Sequence, residues 1–373
     1  FLREGAIFRA YKRRIAMKHY VVTGATGHLG NNLVDRLLLA GDGTVTVFAL
    51  PHEDVSMFAG KGVDIRYGDV LDFAFLLGNI AEGDIVFHLA GIVDISGGDK
   101  SRVYEVNIRG TENVLKACLQ QKVEKLVYTS SVHVVEPAEG NAVMTEPTEF
   151  DENKIVGDYA KSKTVATRLV FDYIRRGLPA VVVYPSGIVG PKDYKTSSMG
   201  TLLLDIANGK LNVSLKGAGY NFVDVRDCAN GVYLAALRGR VGEGYLLSGN
   251  RVSISQIMRY VRFRMGRSAR VFEFSVRLAA KFAPMLEKTA LKRGKKPLFT
   301  AYSLYTITCN ANFSAKKAQE ELGYSVRGSM RTIFDTLEWY AAARPELLTA
   351  RARARLLGKR PGKKPGTALP RPV

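Results

Sequence analysis

Apolar and polar positions along this chain follow two periods. Short apolar runs, bounded by turn-forming residues, recur at 20–23, 45–50, 63–67, 84–89, 125–129 and 180–184 and predict strands. Between them apolar residues return every three to four positions, predicting helices over 29–40, 101–121 and 157–176. Leu33, Leu37 and Ala40 mark the inward face of the first helix, and Val106, Gly110, Val114 and Ala117 that of the second. Strand and helix in alternation are the signature of βαβ units, so the pattern predicts an α/β fold around a doubly wound parallel sheet.

Beyond residue 184 the alternation loosens. A Gly/Pro/Lys-containing stretch at 187–195 precedes a short helix near 202–208, then a strand and helix over 223–238 and one more strand at 244–247. Residues 251–345 read as mostly helical. Late segments of a doubly wound protein form a lobe over the carboxyl ends of the strands, where ligands bind. The expected organisation is therefore a nucleotide-binding domain over 17–190 and 222–250, with a smaller, mostly helical substrate lobe from 191–221 and 251–345.

Composition supports a folded chain, with 46% hydrophobic and 24% charged residues among 373. The net charge of +19 is unevenly placed. Residues 19–250 hold 22 basic against 27 acidic residues, whereas 251–296 hold 13 against 2 and 344–373 hold 9 against 1. A DNA reader would carry its basic stripe on the folded recognition elements, so no nucleic-acid partner is expected. The basic, Pro- and Gly-containing stretch 346–373 reads as a disordered tail. Residues 1–16 read as a leader, with Met17 as the natural start. No apolar run reaches the ~18 residues of a membrane span. Cys118, Cys228 and Cys309 are too few and scattered for a disulfide framework, which points to a reducing compartment, most simply the cytoplasm. The five histidines show no metal-ligand spacing, so no metal is expected.

The first strand runs into Thr23-Gly24-Ala25-Thr26-Gly27-His28-Leu29-Gly30. Three glycines between a strand and a helix let the backbone turn sharply and approach a pyrophosphate, whose charge the free N–H groups of the helix start can bind. This predicts a dinucleotide cofactor, NAD or NADP. The ribose-reading position after the second strand carries neither expected discriminator: Phe48-Ala49-Leu50-Pro51-His52-Glu53-Asp54 has no carboxylate or Arg at the strand tip. Glu53 and Asp54 read as helix-start residues. Tyr159 and Lys163 lie four apart on a predicted helix and so project from one face. A neighbouring ammonium favours the phenolate and brings a phenol toward use as an acid or base.

Taken in order, the glycine motif, Gly68-Asp69-Val70, His88-Leu89-Ala90-Gly91, Asn107-Ile108-Arg109-Gly110-Thr111, Thr129-Ser130-Ser131, Tyr159-x-x-x-Lys163 and Pro185-Ser186-Gly187-Ile188-Val189-Gly190-Pro191 resemble the extended short-chain dehydrogenase/reductases, the NAD-dependent epimerase/dehydratase family. The resemblance covers about 18–343 and implies a Rossmann fold with a substrate lobe. It implies that Tyr159 is the acid/base, that Lys163 holds the nicotinamide ribose and lowers the Tyr159 pKa, and that Ser131 hydrogen-bonds the reacting oxygen. It places Gly24, Gly27, His28, Leu29 and Gly30 at the pyrophosphate, Asp69 and Val70 by the adenine, Leu89 and Ala90 along the cofactor, and Pro185 to Ile188 beside the nicotinamide.

Within that family the segment Asn221-Phe222-Val223-Asp224-Val225-Arg226-Asp227 looks like that of dihydroflavonol-reductase-like and 3β-hydroxysteroid-dehydrogenase-like members. The expected reaction is hydride transfer between a nicotinamide and a ketone or secondary alcohol of an apolar small molecule. The alternatives are a sugar-nucleotide epimerase or dehydratase, and a non-catalytic NAD(P)-sensing protein. His133, two residues past Ser131, is a further candidate to point into the site. The expected partners are a small-molecule substrate and a second copy of the chain. A basic apolar stretch over 275–296 suggests weak peripheral membrane contact.

Overall fold

The computed structural model of the chain describes residues 17–93, 99–275 and 301–358. β1 (Lys18–Thr23), buried from Tyr20 onward, passes through the glycine turn into α1 (His28–Ala40), which buries Leu29, Leu33, Val34 and Leu37. β2 (Gly43–Ala49) returns parallel to β1, with Val22 opposite Val47. β3 (Asp64–Tyr67), α2 (Phe73–Asn79) and β4 (Ile85–His88) follow. The helix expected over 101–121 is divided into α3 (Lys100–Tyr104), a π-helical turn (Glu105–Gly110) and α4 (Thr111–Gln120). Such turns hold an extra residue and cluster at functional sites.

β5 (Lys125–Thr129), α5 (Asp158–Arg175) and β6 (Ala180–Pro185) continue the alternation. The later elements are β7 (Gly187–Val189), α6 (Ser198–Asn208), β8 (Val213–Lys216), β9 (Gly219–Asp224), α7 (Val225–Arg238), β10 (Gly244–Leu247), β11 (Asn250–Ser253) and α8 (Ile254–Arg264). After them come β12 (Phe272–Ser275), α9 (Ala301–Thr308), α10 (Lys316–Leu322), α11 (Ser329–Ala343) and α12 (Ala350–Leu356).

Seven strands form one parallel sheet in the order β10-β6-β5-β4-β1-β2-β3. The chain winds outward from β1 to β3, then restarts at β4 and winds the other way. The order therefore reverses between β1 and β4, and the crevice at their carboxyl ends is where a doubly wound sheet binds ligands. Both faces are covered. Tyr20, Leu33, Val47, Phe87 and Val232 pack on one side, and Val86, Val114, Leu126, Ala166 and Val182 on the other.

The smaller sheets were not apparent in the sequence. β7, within the stretch expected to be loose, pairs parallel with β9, which pairs antiparallel with β11. β12 pairs with β8. The partners of β9, and both strands of the last pair, have only three or four residues, too few to show a period of their own.

The expected disordered tail begins too early. Residues 345–358 form a 3₁₀ turn and α12, with Leu348, Ala352 and Leu356 buried. Arg355 donates to the Met265 carbonyl at 3.1 Å and Arg264 to that of Leu356 at 2.6 Å. Three apolar side chains at helical spacing are enough to dock a short helix against α8 and α11 despite its arginines. The leader 1–16, residues 276–296 of the basic stretch and the last part of the tail lie outside the described residues. Among those described, no helix is long and apolar enough to cross a membrane.

Candidate active site

The glycine turn lies at the switch point, and its three glycines do different work. Gly24 has φ +70°, and a Cβ there would stand 2.6 Å from the Ala90 amide nitrogen. A Cβ at Gly30 would lie 2.2 Å from the Gly24 carbonyl oxygen. These two allow the turn, the β4 end and α1 to close on one another. At Gly27 a Cβ meets only the Gly24 oxygen, at 3.2 Å, and otherwise projects into open space. Gly27 is also the N-cap of α1, with no side-chain cap and no acidic residue in the first turn. The helix thus presents free N–H groups and an uncompensated positive dipole end, the arrangement that holds a phosphate.

The resemblance-derived cofactor residues lie at the ends of β1, β3, β4 and β6 and in β7. Leu89 donates its N–H to the Thr23 carbonyl at 3.2 Å, and Ala90 donates to Thr23 Oγ1 at 3.2 Å, which ties β4 to β1 beside the turn. Asp69 and Val70 follow β3 at the sheet edge. Asp69 accepts the Leu71 N–H at 3.0 Å and pairs with Arg102 at 3.4 Å, while the Val70 carbonyl accepts from Asn113 at 3.1 Å. Pro185 ends β6 and Ile188 lies in β7. Leu29 is buried behind the turn. The His28 ring turns away, donating from Nε2 to the Gly190 and Pro191 carbonyls at 3.2 and 3.1 Å. Its backbone N–H at the helix start is what remains for a phosphate.

Glu53 differs from the helix-start reading. It closes the turn after β2, its N–H bonded to the Leu50 carbonyl and its Oε2 accepting the Leu50 N–H. His52 beside it is exposed. At the inner end of the crevice, Thr129 Oγ1 and Ser186 Oγ are buried without a hydrogen-bond partner, at the ends of β5 and β6. A bare backbone cradle for phosphate and unpaired buried hydroxyls further along fit a nicotinamide dinucleotide.

Tyr159, Lys163 and Ser131 come together at the end of β5. Tyr159 occupies the first turn of α5 and is buried. Burial raises its pKa and the hydrogen bond from the Ser131 side chain opposes that rise. Lys163, also buried, donates to the Thr129 carbonyl at 2.9 Å and lies 5.0 Å from the centre of the Tyr128 ring. Burial lowers its pKa to about 8. In this structure the Lys163 ammonium is held at the strand-end carbonyl, and burial is the largest influence on the Tyr159 phenol.

Asn107 has a place that spacing alone did not reveal. Carried inward by the π turn and fully buried, it accepts the Ile92 N–H at 2.8 Å and donates to Ser162 at 2.9 Å, joining the segment after β4 to α5. The spacing of Val106, Gly110, Val114 and Ala117 shows no break there, and the sequence marked Asn107 only as part of the Asn107–Thr111 segment.

Beside Tyr159 opens a cleft walled by Val132, Val135, Ile155, Tyr220, Phe313 and neighbouring residues. His133 lies there, stacked on Tyr220 at 5.9 Å between ring centres and edge-on to Tyr159 at 6.0 Å. Burial pushes its pKa down to about 4, so the ring is neutral at neutral pH. None of the cleft's described lining residues carries a charged side chain. The Arg of the Asn221–Asp227 segment is engaged elsewhere: Arg226 binds Asp224 at 2.6 Å and Asp335 at 2.8 Å.

A doubly wound sheet with a glycine phosphate cradle at its switch point and a Ser–Tyr–Lys set at the next strand defines a nicotinamide-dependent dehydrogenase/reductase of the extended short-chain type. Over residues 20–247 the chain matches the NAD dependent epimerase/dehydratase family, and it belongs to that family. It is similar to sterol demethylase protein B of Methylococcus capsulatus, at 30% identity over 86% of this chain and 97% of that protein. It is 27% identical to a 3-beta-hydroxysteroid dehydrogenase of Mycolicibacterium neoaurum, over 83% and 88% of the two chains. The crystal structure of gox2253 superposes with a TM-score of 0.77 at 30% identity, covering 89% of this chain and all of that one. The protein is thus an NAD(P)-dependent oxidoreductase.

Proposed function

We infer that the enzyme interconverts a ketone and a secondary alcohol on an uncharged, apolar ring compound. The observation that carries this reading is the cleft beside Tyr159, whose described walls are mostly aromatic and aliphatic, with Thr306, Cys309 and Asn310 among them, and bear no formal charge. A diphosphate in such a cleft would leave two anionic groups desolvated without a cation, a large penalty. The two named relatives act on, or are named for, sterols and steroids, which agrees with that lining.

A nicotinamide dinucleotide, when bound, would supply or accept the hydride. Gly27 and the first N–H groups of α1 would hold its pyrophosphate, and the hydroxyls of Thr129 and Ser186 lie free at the nicotinamide end. In the direction of reduction Tyr159 delivers its phenolic proton to the oxygen on which charge develops, and its raised pKa keeps that proton available. Ser131, already bonded to the phenol, donates to the same oxygen. Lys163, held by the Thr129 carbonyl, would bind the nicotinamide ribose. His133 and Tyr220 form one flat wall against which a ring system can lie. All three thiols are free, which supports a reducing compartment such as the cytoplasm. Steady-state assays with a panel of steroid and flavonoid ketones against sugar nucleotides test the reading. Turnover confined to the sugar nucleotides would overturn it.

A further inference from the structure

β8 and β12 lie side by side as a parallel pair, with Val213 opposite Phe272 and Leu215 opposite Phe274. Side chains alternate across a strand, so these four share one face, and the buried Ser214 marks the other. Phe272 is 75% exposed, Phe274 52% and Val213 42%. Single apolar side chains are ordinary on a protein surface, but two phenyl groups and a valine standing out of one short sheet mark a place of contact.

Arginines border this face. Residues 259–270 hold five arginines and no acid, and 351–355 hold three more. Arg262 donates to the Arg270 carbonyl at 2.7 Å, two residues before β12, and Arg267 to the Ile206 carbonyl at 3.4 Å, near the end of α6. Burial and the neighbouring guanidiniums of Arg355, Arg351 and Arg262 hold the Arg267 pKa below its ordinary value. Among the described residues, none of these four pairs with a carboxylate; Arg262, Arg267 and Arg355 donate to carbonyls instead. Glu273, the one acid of β12, alternates to the face away from the phenyl groups, and Asp205 is engaged by Lys210 at 3.7 Å. Like charges gathered without a counter-charge repel one another, and an anionic surface from outside relieves that repulsion.

We propose that the outer face of β8 and β12 docks the enzyme on a membrane surface bearing anionic phospholipid. Arg262, Arg267, Arg351 and Arg355 would meet lipid phosphates while Phe272 and Phe274 enter the interface beside them. Charge attracts the protein within a Debye length, and buried apolar side chains then hold it there. β8 runs through Gly217 and Ala218 into β9, so Lys216 at the end of the docked strand stands four residues from Tyr220 of the cleft wall. A lipid-soluble ring ketone is then met where it partitions. That use of the docking rests on the apolar-ring reading of the substrate, whereas the docking itself rests on this face alone.

Flotation of the full chain with vesicles of phosphatidylcholine, alone or mixed with phosphatidylglycerol, at low and at high salt tests this. The wild type should float with the mixed vesicles at low salt and be largely released at high salt. Arg267→Gln with Arg355→Gln should weaken that binding about 20- to 30-fold, about fivefold for each charge. Phe272→Ser with Phe274→Ser should weaken it at least about tenfold. Both double variants should keep the wild-type circular dichroism and the turnover of a water-soluble ring ketone. Absence of flotation, equal binding to phosphatidylcholine alone, or wild-type binding in either double variant overturns the proposal; the first two need no variant to fold. A dimer that dissociates in the Phe variant while vesicle binding is unchanged overturns it too, and makes the face a contact between copies. Vesicle binding as expected, with no ring ketone turned over, overturns the substrate reading instead and leaves the docking in place.

Discussion

The cradle and the cleft are built by opposite means. The cradle is made of backbone, within seven consecutive residues from Gly24 to Gly30, and its chemistry is that of N–H groups at a helix start. The cleft is made of side chains from the segment after β5, the stretch before α5, β9, and α9 with the residues that follow it. A backbone site tolerates almost any side chain that points away and almost none that points in. A side-chain site depends on which residues distant segments bring to one place. Local changes in the cradle should thus act nearly all-or-none, and changes in the cleft should tune.

The largest effect separates chemistry from cofactor binding. Tyr159→Phe keeps the ring packed against His133 but removes the proton, so turnover should fall by about 10²–10⁴ while dinucleotide affinity is retained. Full activity in this variant, measured at saturating cofactor, would remove Tyr159 from the mechanism.

Within the cradle, two glycines should fail in different ways. Gly27→Val places its side chain where only the Gly24 oxygen is near, so the protein should fold and lose at least about 100-fold in dinucleotide affinity. Gly24→Ala drives a Cβ into the Ala90 backbone at positive φ, and should lower stability by more than about 2 kcal/mol. Calorimetry for the first and urea unfolding for the second check the split. Equal effects on fold and affinity in both would show that the three glycines share a single role.

On the cleft side, the acid response should trace to a buried ring. His133 binds a proton near pH 6.5 when unfolded and only near 4 when folded, so the unfolded state takes up more protons in between. Stability is therefore lost as pH falls through that window, by about 3 kcal/mol from this ring. His88, held between Thr23 and Thr111 with its pKa lowered by burial and by Lys163 to about 3, adds a loss of the same sign. His133→Phe should flatten the decline of urea midpoint between pH 6.5 and 4 without abolishing it. An unchanged slope would mean that the ring takes up its proton while the protein is still folded.

The smallest effect maps the cleft. Cys309 lines it and is partly exposed, whereas Cys118 and Cys228 are fully buried. At alkaline pH a maleimide should modify Cys309 first, and a bound ring ketone at ten times its Kd should slow that reaction about tenfold. Labelling that ignores such a ligand would place the substrate elsewhere.

Read residue by residue, the sequence determined the parts that depend on near neighbours. The alternation of periods specified a doubly wound parallel sheet, because a strand buried on both faces must be a short apolar run and the helix between must show an apolar stripe. The glycine spacing located the cradle, because only glycine permits the turn at Gly24. The four-residue spacing put Tyr159 and Lys163 on one helix face. Tertiary structure decided what each charge or ring meets. It turned the Lys163 ammonium to Thr129 and made burial the largest influence on the Tyr159 phenol. It docked 345–358 through three apolar side chains, where composition suggested disorder. It brought Tyr220 and Phe313 to His133, and Lys195 across to Glu53. Periodicity is a property of consecutive residues, whereas the surroundings of a side chain are set by segments that meet only when the chain has folded.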